Sequence, residues 1–248
     1  MSNPRYVCWF SCGAASAVAA HFALSVMGEV EVVYCDTSFN EHPDNLRFFR
    51  DVEQWLGQKI ERIKHPKFTT VTDVFDSKQY MNGIKGAPCT VALKKVPRFA
   101  YQRPDDVHVF GMTIDESKRI AKFEHSNPEL NLWWPLRDAG ITKANTLEML
   151  TAAGIDLPVL YKLGYKNNNC LGCVKATSPA YWNQVRKDFP LIFDLRAEQS
   201  RRIGCKLTRV KGKRIFLDQL APDCTEIIEE DLSCGPQCSI SDSTTEEE

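Results

Sequence analysis

Cys170-Leu171-Gly172-Cys173 is the stretch of this chain whose residue types and spacing most directly specify chemistry. A Cys-x-x-Cys pair lets two thiolates converge on one metal, and Gly172 allows the backbone to fold tightly between them. A third thiol, Cys89, follows Gly86-Ala87-Pro88 and opens a basic helix, Thr90 to Tyr101. The helix start and the nearby Lys94 and Lys95 both favour its thiolate. Zinc sites usually need a second pair of cysteines, whereas iron–sulfur clusters can draw ligands from distant segments. Near the N-terminus, Ser11-Cys12-Gly13-Ala14-Ala15-Ser16 joins an apolar strand to an Ala-rich helix. The N–H groups at such a helix start carry the positive end of its dipole. Gly13 permits a tight turn, and the hydroxyls of Ser11 and Ser16 can donate to phosphate or sulfate oxygens. The turn lacks both Gly-Lys-Ser/Thr and Gly-x-Gly-x-x-Gly, so neither common nucleotide fingerprint applies. A Ser-rich helix cap, with Asp36-Thr37 as a second turn, is the competing reading.

The elements that must position these groups read as an α/β fold: a Rossmann-like parallel sheet flanked by helices, with a helical C-terminal portion and a short hairpin. Arg5 to Phe10, Glu31 to Cys35, Ile60 to Ile63 and Val107 to Phe110 are strand candidates. Ala14 to Met27 is the first helix, and a second opens at His42-Pro43-Asp44 and ends at Gly57. One strand–helix–strand unit separates Ser11 from Asp36, which fits adjacent parallel strands whose carboxyl ends flank one crevice. Helices follow over Lys143 to Ala153, Pro158 to Leu163, Pro179 to Lys187 and Leu191 to Ile203, then a hairpin of Lys206 to Val210 and Arg214 to Leu217. The reading divides the chain into a nucleotide-binding α/β domain with the cysteines over 1–176, an extension over 177–238 and a disordered acidic tail over 239–248.

The 248 residues suffice for a sizeable core, and 31 Lys+Arg against 32 Asp+Glu give a formal net charge of -1. No global basic excess points to nucleic acid; the runs Lys94-Lys95, Arg201-Arg202 and Lys211 to Arg214 stay open as local contacts, with ordinary solvated faces as the favoured reading. No apolar run approaches the ~20 residues that span a membrane, and no signal peptide is visible, so a cytoplasmic chain is expected. In a reducing compartment ten cysteines point to metal binding or catalysis rather than to disulfides. Cys8, Cys12 and Cys35 read as small core or turn residues. The five histidines show no metal-ligand spacing. Trp133, Trp134 and Trp182 read as packing residues. Arg119, after a strand end, can grip an oxyanion through two bonds.

Several segments together carry a resemblance. Cys89-Thr90-Val91-Ala92-Leu93-Lys94-Lys95-Val96-Pro97 resembles the Cys-Cys-x-x-Arg-Lys-x-x-Pro segment of assimilatory adenylyl-sulfate reductases, with the Cys-x-x-Cys following at the family's spacing. The Ser-x-Gly-x-x-Ser turn, Cys35-Asp36-Thr37, His42-Pro43, Phe48, Trp55-Leu56-Gly57 and Gly111 to Arg119 are similar to the wider phosphoadenylyl-sulfate reductase and PP-loop superfamily. Trp134-Pro135-Leu136, Leu160-Tyr161 and Gly164 extend the likeness, which covers residues 5 to 176. It implies a 4Fe-4S cluster on Cys89, Cys170 and Cys173. Thr90 replaces the second tandem cysteine, so three ligands are visible, as in related PP-loop tRNA thiolases. Ala15 stands where ATP-cleaving relatives carry Asp. Ser233-Cys234-Gly235 resembles the tail whose cysteine attacks sulfur in sulfonucleotide reductases. Alternatively Cys205, Cys224, Cys234 and Cys238 close a zinc site, or Cys234 is the fourth cluster ligand.

The resemblance implies a sulfonucleotide reductase-like enzyme. Phosphate would sit on Ser11, Gly13 and Ser16, the nucleoside near Asp36 and Thr37, and sulfate beside Arg119 and Lys94. Cys234 would be the nucleophile, and a thioredoxin-like thiol the reductant. The runner-up is a PP-loop sulfurtransferase acting on a nucleobase or nucleic acid with a sulfur donor. A non-catalytic nucleotide-binding protein with structural zinc is the third reading. Homo-oligomerisation stays open.

Overall fold

The computed structural model describes residues 4–83 and 86–229. Its centre is a sheet of five parallel strands: β1 (Tyr6–Phe10), β2 (Glu31–Cys35), β3 (Glu61–Ile63), β4 (Val107–Phe110) and β5 (Asn131–Trp133), in the order β3-β2-β1-β4-β5. The hairpin of β6 (Thr208–Val210) and β7 (Lys213–Ile215) is antiparallel and separate. The first helices are α1 (Ala14–Met27), α2 (Asn45–Leu56) and α3 (Val71–Lys78). A composite helix follows: α4 (Pro88–Thr90), a π turn over Val91–Lys95, and α5 (Val96–Tyr101). Then come α6 (Ser117–Ser126), α7 (Pro135–Asp138), α8 (Lys143–Ala152), α9 (Val159–Lys162), α10 (Pro179–Asp188) and α11 (Pro190–Ile203).

Period-two alternation divides the strand residues between two layers. Cys8, Phe10, Val32, Tyr34 and Val109 face α1, α2 and α8, where buried Ala14, Ala17, Ala20 and Ala23 let the helix backbone approach the sheet. Val7, Trp9, Val33, Cys35 and Phe110 face the other way, onto Ile120, Phe123 and Trp134. On that side the indole of Trp9 donates to Nδ1 of buried His108 at 3.0 Å, and burial pushes the His108 imidazole down to about 4. A further apolar core lies away from the sheet, running from Val71, Phe75 and Leu93 through Leu160, Trp182 and Phe193 to Leu217.

The strands and helices expected from periodicity appear within a residue or two of their observed ends. α3, α6, α7 and β5 have no counterpart among the elements expected from the sequence. β5 is only three residues long, and α6 lies inside a segment read as a motif rather than as an element. Nor was the π turn foreseen, in which the Val96 N–H reaches the Val91 carbonyl; no residue type marks such a turn in advance.

Gly111, just past β4, fixes how close the two central strands' ends can come to α1. A Cβ there would lie 2.5 Å from the Ser16 Cα and 2.7 Å from the Ala15 carbonyl oxygen. Both are backbone atoms and cannot swing aside. Gly111→Ala is therefore expected to lower unfolding free energy by about 1–3 kcal/mol in urea titration. An unchanged midpoint would show that the helix start can yield.

Candidate functional site

The strand order reverses between β1 and β4, and open α/β sheets bind ligands at the carboxyl ends of strands around such a point. The Ser11–Ser16 turn stands there. Its hub is the Ser16 hydroxyl, which accepts from the Ser11 N–H at 3.0 Å, the Ser11 hydroxyl at 3.1 Å and the Gly13 N–H at 3.4 Å. It donates to the Gly13 carbonyl at 2.9 Å. Cys12 takes the left-handed conformation (φ 56°), uncommon without glycine, which turns the backbone sharply between β1 and α1. Its thiol is buried against the Asn45 carbonyl. The Tyr161 hydroxyl accepts from the Ala14 N–H at 3.4 Å.

β2 delivers Asp36 and Thr37 to the same edge. The Asp36 carboxylate is fully enclosed and forms ion pairs with Arg62 at 2.8 Å and Lys64 at 3.3 Å. It accepts from the Ser38 hydroxyl at 2.6 Å and N–H at 3.1 Å. Burial alone would raise its pKa, but the bonds from Ser38 and Arg62 outweigh it and hold the carboxyl below its usual range. The Thr37 hydroxyl donates to Glu41 Oε1 at 2.6 Å, and Asn45 donates to Glu41 Oε2 at 2.8 Å. The π turn carries buried Lys94 to this place, with its carbonyl accepting from the Cys35 thiol. Burial raises the Cys35 thiol to about 12, opposed by the Lys94 charge. Arg119, on α6, donates to Glu116 Oε1 at 2.6 Å. Glu116 in turn acts electrostatically on the Tyr161 phenol beside the turn. The structure thus collects Ser11, Gly13, Ser16, Asp36, Thr37, Lys94 and Arg119 at one edge of the sheet.

The thiols form a second group, on the core away from the sheet. Cys89 and Cys170 are half-buried against that core, and Cys173 is buried. The Cys173 N–H donates to the Tyr181 hydroxyl at 2.8 Å. Gly172 has φ 61°, and a Cβ on it would meet Ile192 Cγ2 at 2.8 Å and Arg196 Cγ at 3.3 Å. Arg196 lies beside this loop, bonded to Thr72 Oγ1 at 3.1 Å and Gln199 Oε1 at 2.9 Å and placed over the Phe75 ring. Burial lowers its pKa, and the thiols of Cys170, Cys89 and Cys173 act on it in the opposite direction. Cys170 also borders a mainly apolar cavity of about 210 Å³, shared with Leu160, Tyr165, Tyr181 and Phe189.

Among the described residues no three His, Cys, Asp or Glu side chains close around a single metal ion. Of the alternative zinc set, Cys205 donates to the Asn82 carbonyl at 3.2 Å and Cys224 is half-buried. Cys234 and Cys238 lie outside the described residues.

Two residues at these groups escape the sequence reading, and the first of them joins the two. The Asn168 amide donates to the Cys12 carbonyl at 2.6 Å and to Asn45 Oδ1 at 2.9 Å. Two positions before the Cys-x-x-Cys, it ties that loop to the phosphate turn; the Asn167-Asn168-Asn169 run was the only available signal. The other is Arg196, in an ordinary-looking helix with no motif to mark it.

Asp36 generates a pH prediction. Its folded pKa is depressed, so its stabilisation is present above the unfolded value of about 3.9 and disappears as pH falls through the folded value. The stability gap between the native protein and Asp36→Asn should be largest near neutrality and shrink below about pH 4. Urea titrations across pH check this, and a gap that does not vary with pH would refute it.

Comparison with known proteins gives a match to the phosphoadenosine phosphosulfate reductase domain over residues 5–206. No curated protein matches the chain. The match spans the turn, the sheet, Cys89, Cys170, Cys173 and Arg196. The chain belongs to the phosphoadenosine phosphosulfate reductase domain family, within the PP-loop adenine nucleotide alpha hydrolase-like superfamily.

Proposed function

We propose that the protein is a sulfonucleotide reductase-like enzyme, binding an adenylated sulfate on the Ser11–Ser16 turn and holding a 4Fe-4S cluster with Cys89, Cys170 and Cys173. One observation carries the reading: the anion turn and the thiol loop are bonded to each other. Asn168 reaches the Cys12 carbonyl, and the Leu171 N–H donates to the Asn40 carbonyl at 2.8 Å. Asn40 closes the same junction by accepting from the Val71 N–H at 2.7 Å through its side chain. Membership of a family whose enzymes generally act on sulfur-containing nucleotides supports the substrate class.

In this reading the N–H groups and hydroxyls of the turn hold the nucleotide phosphate. The end of β2 meets the nucleoside, while Lys94 and Arg119 offset the sulfate charge. The Cys234 thiolate attacks sulfur; an S–S bond forms as the S–O bond to the phosphate breaks, and the nucleoside monophosphate leaves. An external dithiol of the thioredoxin class then reduces the thiosulfonate, releasing sulfite and becoming a disulfide. When bound, the cluster contributes local charge near the sulfate.

Anaerobic protein should contain iron and sulfide. With labelled adenylyl sulfate it should trap sulfur on Cys234, and Cys234→Ser should trap none. ATP-dependent pyrophosphate release without an adduct would favour the sulfurtransferase, for which only three cluster cysteines are visible. Stoichiometric zinc without iron would sink both enzymes. Ser16→Ala removes the hub of the turn and should weaken nucleotide binding about tenfold, measured by calorimetry, with iron content unchanged.

A further inference from the structure

We infer that Tyr161 is a phosphate-binding residue, presenting its phenolic O–H to a nucleotide phosphate held on the Ser11–Ser16 turn. This rests on the nucleotide reading above, although its test separates the two.

An anion on this turn needs hydrogen donors, and several of those nearby are already committed. The Ser16 hydroxyl gives its hydrogen to the Gly13 carbonyl at 2.9 Å, and the Ser11 hydroxyl gives its own to Ser16 at 3.1 Å. Without rearrangement neither has one left for a ligand. The N–H groups of Ser11 and Gly13 also point at the Ser16 oxygen, at 3.0 and 3.4 Å. The α1 ladder begins with the bond from the Ala17 N–H to the Gly13 carbonyl at 3.1 Å. The N–H groups of Ala14, Ala15 and Ser16 precede it and have no helical acceptor. Of these, the Ala14 N–H is spent on the Tyr161 oxygen at 3.4 Å.

Tyr161 changes what that end of the helix offers. Its ring, carried by α9, is half-buried and packed against the sheet core. The hydroxyl stands so close to the turn that a Cβ on Gly13 would lie 3.5 Å from its oxygen. An oxygen that accepts from an N–H cannot direct its own hydrogen at that group. Among the described residues no acceptor takes this hydrogen. Burial raises the phenol to about 12, so the hydrogen stays in place at neutral pH. The turn thereby exchanges one backbone donor for a hydroxyl donor supplied by a distant segment. An ionised phosphate, which only accepts, gains more from such a donor than an uncharged ribose or base does.

The test titrates AMP, which carries a phosphate, and adenosine, which does not, into native protein and Tyr161→Phe by calorimetry. The substitution keeps the ring and removes only the oxygen. It should weaken AMP binding on the order of tenfold and leave adenosine binding at the native value. If Tyr161→Phe fails to fold, Tyr161→His, whose ring can still accept from the Ala14 N–H, makes the same comparison. Equal weakening of both ligands, or unchanged AMP affinity, would show a tyrosine that merely caps α1 and would overturn the proposal. Native protein that binds AMP but forms no adduct with adenylyl sulfate would reject the reductase and leave the Tyr161 comparison intact. Native protein that binds no adenine nucleotide would reject both.

Discussion

The missing side chain at Gly111 is the constraint on which the site depends. It lets the end of β4 lie directly against the backbone of Ala15 and Ser16. That contact fixes the start of α1 relative to the sheet, and with it the Ser11–Ser16 turn. The turn's Cys12 carbonyl then serves as the anchor for Asn168, and Asn168 positions the loop bearing the cysteines. A steric fact at one strand end is thus passed through backbone and amide to chemistry on a different core.

Buried charge is arranged asymmetrically around this edge. Asp36 is enclosed but compensated by Arg62, Lys64 and Ser38. Fully buried Arg98 lies over Phe99 and Phe123, and burial lowers it to about 10. Lys94 and Arg196 are buried as well, Lys94 in the π turn and Arg196 against Thr72, Gln199 and the Phe75 ring. Cations kept from water are expensive, and proteins retain them chiefly where anions are handled.

Much of the sheet was legible because parallel strands buried on both faces are written as short apolar runs, as in Arg5 to Phe10 and Glu31 to Cys35. The turn itself was legible as a tight strand-to-helix junction because Gly13 and the flanking serines stand between an apolar run and an Ala-rich helix. The cysteines stood out by type and by their resemblance to a known pattern. Asn168 and Arg196 did not, since Asn168 bonds a residue 156 positions away and Arg196 one 124 positions away. Such contacts leave no local trace. The three-residue β5 failed for the opposite reason, being too short for periodicity to register.

The π turn at Val91–Lys95 makes one helix answer to both groups, with Cys89 at its start and Lys94 within the turn. An inserted helical residue rotates everything after it by about 100°. The turn therefore acts as a phase setting between the thiol and the two buried cations, Lys94 and Arg98, that follow it. Single-residue changes in length here would realign those charges against the thiol without altering any side chain's chemistry. For this helix, the number of residues is itself part of the specification.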